Sequence, residues 1–342
     1  MMDNLETLID VRDLKTYFYL REGTVRAVDG ATFSIRRGKT LGVVGESGCG
    51  KSVTAQSILQ IVPRPGRIIQ GEITLYQISG ESGQQVTPVR ITDLAPSSDR
   101  MRAIRGSTIS MIFQEPMTSF SPVHTIGEQL AETIQIHHEV SKESARQSAI
   151  NMMRQVGISN PERNFDAYPH QLSGGMRQRS MIAMALMLRP SLLIADEPTT
   201  ALDVTTEAQI LRLMRQMQES LGMAILFITH DLGVIAEMAD DVVVMYLGRV
   251  VESTNVDSIF YDPKHPYLRA LLKSIPRVGV KSGKRLAAIE GMVPNPLNVP
   301  QGCPFHPRCT EMIDGLCNVT VPDNLYLAED HMVACHLYTS GG

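Results

Sequence analysis

Gly45-Glu46-Ser47-Gly48-Cys49-Gly50-Lys51-Ser52 follows the spacing G-x-x-x-x-G-K-[ST]. Residues of these types in this order suit one task, holding the phosphates of a nucleotide. The glycines let backbone N–H groups curl around phosphate oxygens, and a helix starting at the end of the loop adds its positive pole. Lys51 can reach the β- and γ-phosphates, and the Ser52 hydroxyl can hold Mg2+. Cys49 reads as a small loop residue rather than a thiol ligand. With Gly45, Ser47, Gly48, Gly50 and Val53 it completes the candidate nucleotide-binding stretch. A second group lies 145 residues beyond Lys51, where the apolar run Leu192-Leu193-Ile194-Ala195 ends in Asp196-Glu197. Alone, two carboxylates after such a run would be an ordinary solvated strand end. In the company of a phosphate loop, Asp196 can bind Mg2+ directly or through water, and Glu197 can polarise the attacking water.

A third stretch, Leu172-Ser173-Gly174-Gly175-Met176-Arg177-Gln178, is another anion site in physical terms, because Ser-Gly-Gly opening a helix exposes N–H groups at its positive end. One chain does not need two cradles for one nucleotide. This stretch resembles the signature motif of the ATP-binding-cassette ATPases, in which the signature completes the site of a partner subunit. The resemblance continues with Gln114 in Ile112-Phe113-Gln114-Glu115-Pro116, with Ala201-Leu202-Asp203 and with His230 in Ile228-Thr229-His230-Asp231. Phe18, flanked by Tyr17 and Tyr19, stands where that family carries an aromatic stacked on adenine. These motifs occur in the family's order across residues 14–252. The resemblance implies two chains clamped head to tail by ATP. Each composite site would combine Lys51, Ser52, Gln114, Asp196, Glu197 and His230 of one chain with Ser173 and Gly175 of the other, and Gly174 and Asp203 join the candidate nucleotide-binding residues. Glu197, His230, Gln114 and Lys51 are then the candidate catalytic groups, and Ser52, Gln114 and Asp196 the candidate Mg2+ ligands.

Other strings narrow the branch. Glu115-Pro116-Met117-Thr118-Ser119-Phe120-Ser121-Pro122, Tyr168-Pro169-His170-Gln171-Leu172-Ser173, His265-Pro266-Tyr267 and Gly302-Cys303-Pro304-Phe305-His306-Pro307-Arg308-Cys309 resemble the ATPase subunits of dipeptide and oligopeptide importers. The same branch serves nickel, opine and oligosaccharide importers. Its implied partners are a second homologous ATPase subunit, two transmembrane permease subunits and an extracytoplasmic solute-binding protein. The implied location is peripheral, on the cytoplasmic face of the cell membrane. The segment around Glu115–Pro122 would pass motion to the membrane subunits. Two rival readings stay open: a soluble cassette ATPase acting on DNA or ribosomes, and a nucleotide-binding regulator without turnover. A single uninterrupted cassette argues against the first, and Glu197 with His230 against the second.

These groups need a frame that brings distant residues together. Leu41–Gly45 reads as a short apolar strand, and Leu192–Ala195 and Ala224–Ile228 as strands buried on both faces. Ala55, Ile58, Leu59 and Val62 recur at helical spacing after the phosphate loop, as do Ile210, Leu213, Met214, Met217 and Leu221 between two of the strands. Strand, helix, strand in that rhythm predicts a parallel sheet with crossover helices. Residues 120–190 read as a helical insertion, with further strands at Val242–Met245 and Arg249–Glu252. The expected fold is α/β, a P-loop NTPase core of RecA-like type with an antiparallel β subdomain and this insertion, all within residues 1–255. Nine of the nineteen prolines fall in residues 261–342, so residues 256–342 read as a loop-rich appendage.

Four of the five cysteines, Cys303, Cys309, Cys317 and Cys335, crowd into that appendage with spacings C-x5-C-x7-C-x17-C. A chain of 342 residues does not depend on disulfides for its core, and clustered thiols in a reducing location point to a metal. No C-x2–4-C pair of the kind zinc favours is present. Zinc with His306 or His336 replacing a thiolate stays open, as do free or paired cysteines. Four thiolates also suffice for an iron–sulfur centre, and the resemblance implies a [4Fe-4S] cluster. Composition sets the outer limits. Charged residues make up 20% and the formal net charge is −4, which argues against a broad basic surface for nucleic acid. No apolar run approaches the roughly 20 residues of a spanning helix, and the acidic start has no signal-peptide pattern. The expectation is a cytoplasmic-type soluble chain whose permease is a separate protein.

Overall fold

The structure, a computed structural model, describes residues 5–79, 85–114, 119–200, 202–274 and 289–339. β1 (Thr7–Leu20) and β2 (Gly23–Arg36) are antiparallel neighbours. β3 (Thr40–Val44) enters a second sheet and leads through the phosphate loop into α1 (Lys51–Ile58). The chain returns to the first sheet with β4 (Gly66–Ser79) and β5 (Gln85–Arg90), completing the antiparallel order β2-β1-β4-β5. α2 (Asp99–Ser107) and β6 (Ile109–Ile112) follow. Between β6 and β7 (Leu192–Asp196) the described residues hold α3 (Ile126–His137), α4 (Lys142–Gln155), α5 (Pro161–Phe165) and α6 (Gly174–Leu186), the expected helical insertion. Then come α7 (Val204–Leu221), β8 (Ala224–Ile228), α8 (Leu232–Met238), β9 (Asp241–Tyr246) and β10 (Arg249–Asn255). Beyond residue 255 lie α9 (Val256–Tyr261), α10 (Pro266–Ser274), β11 (Leu325–Ala328) and β12 (His331–Val333).

The second sheet runs β11-β12-β10-β9-β3-β8-β7-β6. Its central strands are parallel, with Thr40 opposite Ile225, and Asp196 opposite Ile228. Every residue of β3, β7 and β8 is buried, which is why these strands read as unbroken apolar runs. Alternate side chains feed two different cores. Leu192, Ile194 and Leu226 face the antiparallel sheet with Leu41 and Val43, whereas Leu193, Ala195, Ile225 and Phe227 face the helical side. Parallel register therefore sets the carboxyl ends of β3, β7 and β8 side by side, where ligands of open α/β sheets bind.

One boundary differs from the sequence reading, and the segment beyond residue 255 joins the cassette's sheet. The helix after the phosphate loop stops at Ile58, and Val62 lies beyond it; Gln60 turns left-handed with φ 50°, and Pro63 excludes further helix. The residues after 255 share the sheet of the cassette: β12 pairs antiparallel with β10 (Glu252 opposite Val333), and β11 pairs with β12. Glu115–Thr118, at the start of the segment expected to meet the membrane subunits, and Ala201 lie outside the described residues.

Candidate nucleotide site and the cysteine loops

The phosphate loop joins β3 to α1, and Gly50 immediately precedes the helix with φ 102°. A side chain at Gly50 would strike the Ala27 carbonyl at 2.1 Å, and one at Gly248 would meet the Arg26 carbonyl at 2.8 Å, so only glycine admits the β2 backbone here. Asp29 N–H donates to the Gly248 carbonyl (2.8 Å) and Gly248 N–H to that of Cys49 (2.9 Å), locking β2 and the β9–β10 turn onto the loop. Lys51 is 5% exposed and its Nζ donates to the carbonyls of Gly45 (2.8 Å) and Glu46 (3.3 Å). Cys49 is buried with its thiol pushed up by burial. Its Sγ lies 3.9 Å from Lys51 Nζ.

Parallel pairing then delivers the carboxylates. Ser52 Oγ donates to Asp196 Oδ1 at 3.0 Å, and burial raises the Asp196 carboxyl above its usual range against the pull of Ser52 and Lys51. Two adjacent oxygens of this kind fit a hard cation such as Mg2+, which takes few protein ligands and completes its shell with phosphate and water. Glu197 sits in the left-handed region with φ 47°. Its Oε2 accepts from Gln114 Nε2 (3.0 Å) and Thr200 Oγ1 (3.0 Å), and its Oε1 lies 3.4 Å from His230 Nδ1. Five of the candidate residues, Ser52, Gln114, Asp196, Glu197 and His230, thus gather at one edge of the sheet, with Lys51 beside them. Thr200 is the addition that sequence did not single out.

A pocket opens over the loop between Ser47, Gly48, Gly50, Lys51, Ser52 and Val53 on one side and Gln114 and Glu197 on another. Its outer wall is Val25, Arg26 and Ala27 of β2, the Leu247-Gly248 turn, and Pro296 and Val299 from beyond residue 255. Phe18 is not among the lining residues; its ring edge lies against Gly66. Ser173 caps α6, accepting from Met176 N–H (3.3 Å). Asp203 caps α7, accepting from Thr205 and Thr206. Ser173, Gly174, Gly175 and Asp203 do not line this pocket.

The four clustered cysteines are free thiols; Cys303, Cys317 and Cys335 are buried and Cys309 is partly so. Burial pushes the thiols of Cys303 and Cys335 up to about 11, with the other thiols of the group adding to it. Backbone amides aim at the sulfurs: Phe305 and His306 at Cys303, Glu311 at Cys309, Leu337 at Cys335, and Ile313 at Cys317 (3.4 Å). Amide donors of this kind stabilise metal-bound thiolates. Among the described residues no three His, Cys, Asp or Glu side chains converge on a single ion. His306 Nδ1 bonds the Cys303 carbonyl (2.9 Å) and His336 Nε2 the Thr320 carbonyl (2.8 Å), so one ring nitrogen of each is tied to the backbone.

Residues 28–200 match the ABC transporter family, and residues 251–317 match the oligopeptide/dipeptide transporter C-terminal region. The chain is 48% identical to a probable peptide ABC transporter ATP-binding protein of Sinorhizobium fredii, over 96% of this chain and 95% of that one. It is 47% identical to the oligopeptide transport ATP-binding protein AppD of Bacillus subtilis, over 99% of each chain. Among solved structures, a dimeric bacterial ABC transporter cassette superposes with a TM-score of 0.62 at 25% identity, covering 73% of this chain and 99% of that one. Motif order, parallel register and these likenesses agree: the chain belongs to the ATP-binding-cassette transporter family, in its oligopeptide and dipeptide branch.

Proposed function

We propose that this chain is the ATP-hydrolysing subunit of an importer for peptides or related small solutes, with residues 1–255 forming the nucleotide-binding unit and residues 256–342 its extension. The observation that carries the reading is the gathering of Ser52, Gln114, Asp196, Glu197 and His230 around the pocket of the phosphate loop. Lys51 and the loop amides would hold the β- and γ-phosphates. Mg2+, held by Ser52, Asp196 and Gln114, would neutralise phosphate charge. Glu197, kept in place by Gln114 and Thr200, orients or deprotonates the attacking water, and His230 supports the transferring phosphoryl group. Ser173, Gly174, Gly175 and Asp203 would complete the site of a second, homologous subunit packed head to tail. A dimeric structural relative supports that arrangement. Two separate permease subunits, a cytoplasmic-face position and a delivering solute-binding protein belong to the same reading, supported by the likeness to peptide transport ATP-binding proteins. Near full-length likeness to peptide transport ATP-binding proteins leaves a DNA- or ribosome-directed ATPase without support.

Glu197→Gln tests the chemistry. The variant keeps the size of the side chain and removes the base, so hydrolysis should fall by about 10²–10⁴ while ATP binding survives. With ATP the variant should run as a dimer in size-exclusion chromatography. Hydrolysis near the parent rate in the assembled transporter would remove Glu197 from this role.

For the extension, the reading is that Cys303, Cys309, Cys317 and Cys335 hold a [4Fe-4S] cluster, supported by four clustered thiols that form no disulfide and by the Ile313 amide directed at Cys317. Such a centre would cross-link three loops; the proposed ATPase chemistry has no step that needs it. Protein purified without oxygen should contain iron and sulfide, and serine at any of the four positions should lower both while Lys51-dependent ATP binding remains. A colourless preparation without iron would refute it.

A further inference from the structure

Glu46, inside the phosphate loop, is held from outside the cassette. Its carboxylate takes two bonds from the Arg308 guanidinium, Nη1 to Oε2 at 2.7 Å and Nη2 to Oε1 at 3.1 Å, a fork-to-fork pair between residues 262 apart in sequence. The Arg308 side chain is only 4% exposed. It also donates to Tyr246 Oη (3.3 Å) and to the Glu290 carbonyl (3.3 Å). The Glu46 amide is fixed as well, donating to Tyr267 Oη at 2.9 Å. From the opposite side Lys51 Nζ reaches the Glu46 carbonyl. Phe305 seals the arrangement, its ring edge-on to Tyr246 with centroids 5.3 Å apart and 5.4 Å from that of Tyr267. Arg308 ends the short turn His306–Arg308 and directly precedes Cys309.

A carboxylate in a loop that must receive a polyphosphate is a liability unless its charge is matched. Arg308 matches it and at the same time fixes the loop's backbone through the side chain it grips. We infer that Arg308 is a positioning residue for the nucleotide site: by neutralising and orienting Glu46, the extension keeps the phosphate loop ready for ATP. The inference rests on the nucleotide-site reading above. Removing the guanidinium leaves Glu46 charged and unpaired within the phosphate loop, so affinity should suffer more than when both charges are removed.

The test titrates a fluorescent ATP analogue, with Mg2+, into the full-length chain and into Arg308→Gln, Glu46→Gln, the double variant, Arg308→Lys and Lys51→Ala. Arg308→Gln should weaken binding about tenfold, the scale of one lost charge-assisted pair. The same change in the Glu46→Gln background should cost no more than about twofold. Arg308→Lys, which keeps the charge without the fork, should fall between, and it carries the comparison if Arg308→Gln does not fold. Loosening by loss of the pair alone would weaken Glu46→Gln and the double variant as much as Arg308→Gln, whereas an unmatched charge requires both to bind more tightly than Arg308→Gln. Parent-like binding by Arg308→Gln, with binding lost in Lys51→Ala, overturns the inference and leaves the site standing. Parent-like binding by Lys51→Ala overturns the nucleotide site itself, and the inference with it.

Discussion

Glu197 pays for its place with backbone strain, since a side chain at φ 47° costs on the order of 1 kcal/mol relative to glycine. The residue is held there by its amide, which donates to the Ile228 carbonyl at 2.9 Å, and by the bonds from Gln114 and Thr200. Glu197→Gly should therefore raise thermal stability by about 1 kcal/mol while hydrolysis falls by two or more orders of magnitude. Calorimetry beside an ATPase assay separates the two effects. A lower melting temperature would show that the side-chain bonds outweigh the strain.

At the scale of elements, two junctions make claims. The start of α6 is capped by Ser173, and a side chain added at Gly175 would come within 3.1 Å of Thr206 on α7. Ser173→Arg puts bulk at this surface without touching the chain's own phosphate loop. Nucleotide affinity of the single chain should stay within about twofold, and hydrolysis by the assembly should drop at least tenfold. Loss of binding by the single chain would contradict a site shared between subunits. The second junction lies between β10 and α10. Burial pushes His265 down to about 3 from its ordinary 6.5, with Arg269 adding to the effect. Its Nδ1 accepts from Tyr267 N–H at 3.1 Å, so the ring is neutral in the fold. The unfolded chain takes up a proton near pH 6.5. The contribution is therefore complete above that pH and fades as pH falls from about 6.5 toward 3. By pH 5 the loss should be about 2 kcal/mol. Urea titrations at pH 7 and pH 5 measure it, and His265→Gln should flatten the difference.

For the molecule as a whole, what the sequence reveals and what it hides divide by distance along the chain. Phosphate loop, Asp196-Glu197, the serine-glycine helix start and His230 are short strings whose chemistry is local, and α/β rhythm alone places three of them at strand ends. Val62 deceived because helical spacing continued through a stop imposed by Pro63. Thr200, the Pro296–Val299 wall and the Arg308–Glu46 pair were hidden, since each depends on which loops the folded sheet brings together. The same holds for Glu252, a carboxylate with no exposed surface on β10. It accepts from Lys264 N–H (2.9 Å), His265 N–H (2.6 Å) and His331 Nε2 (2.9 Å). A chain cut after Asn255 leaves it without partners and opens one face of the core. Loss of several kcal/mol and poor solubility are expected. Cooperative melting of residues 1–255 within a few degrees of the parent would refute that. The strand that covers β10 also sets a clock. β12 begins 76 residues after β10 ends, and ribosomes add about 5–20 residues per second, so the β10 edge waits roughly 4–15 s for its neighbour. During that interval a nearly complete cassette presents an unpaired strand to every other nascent chain.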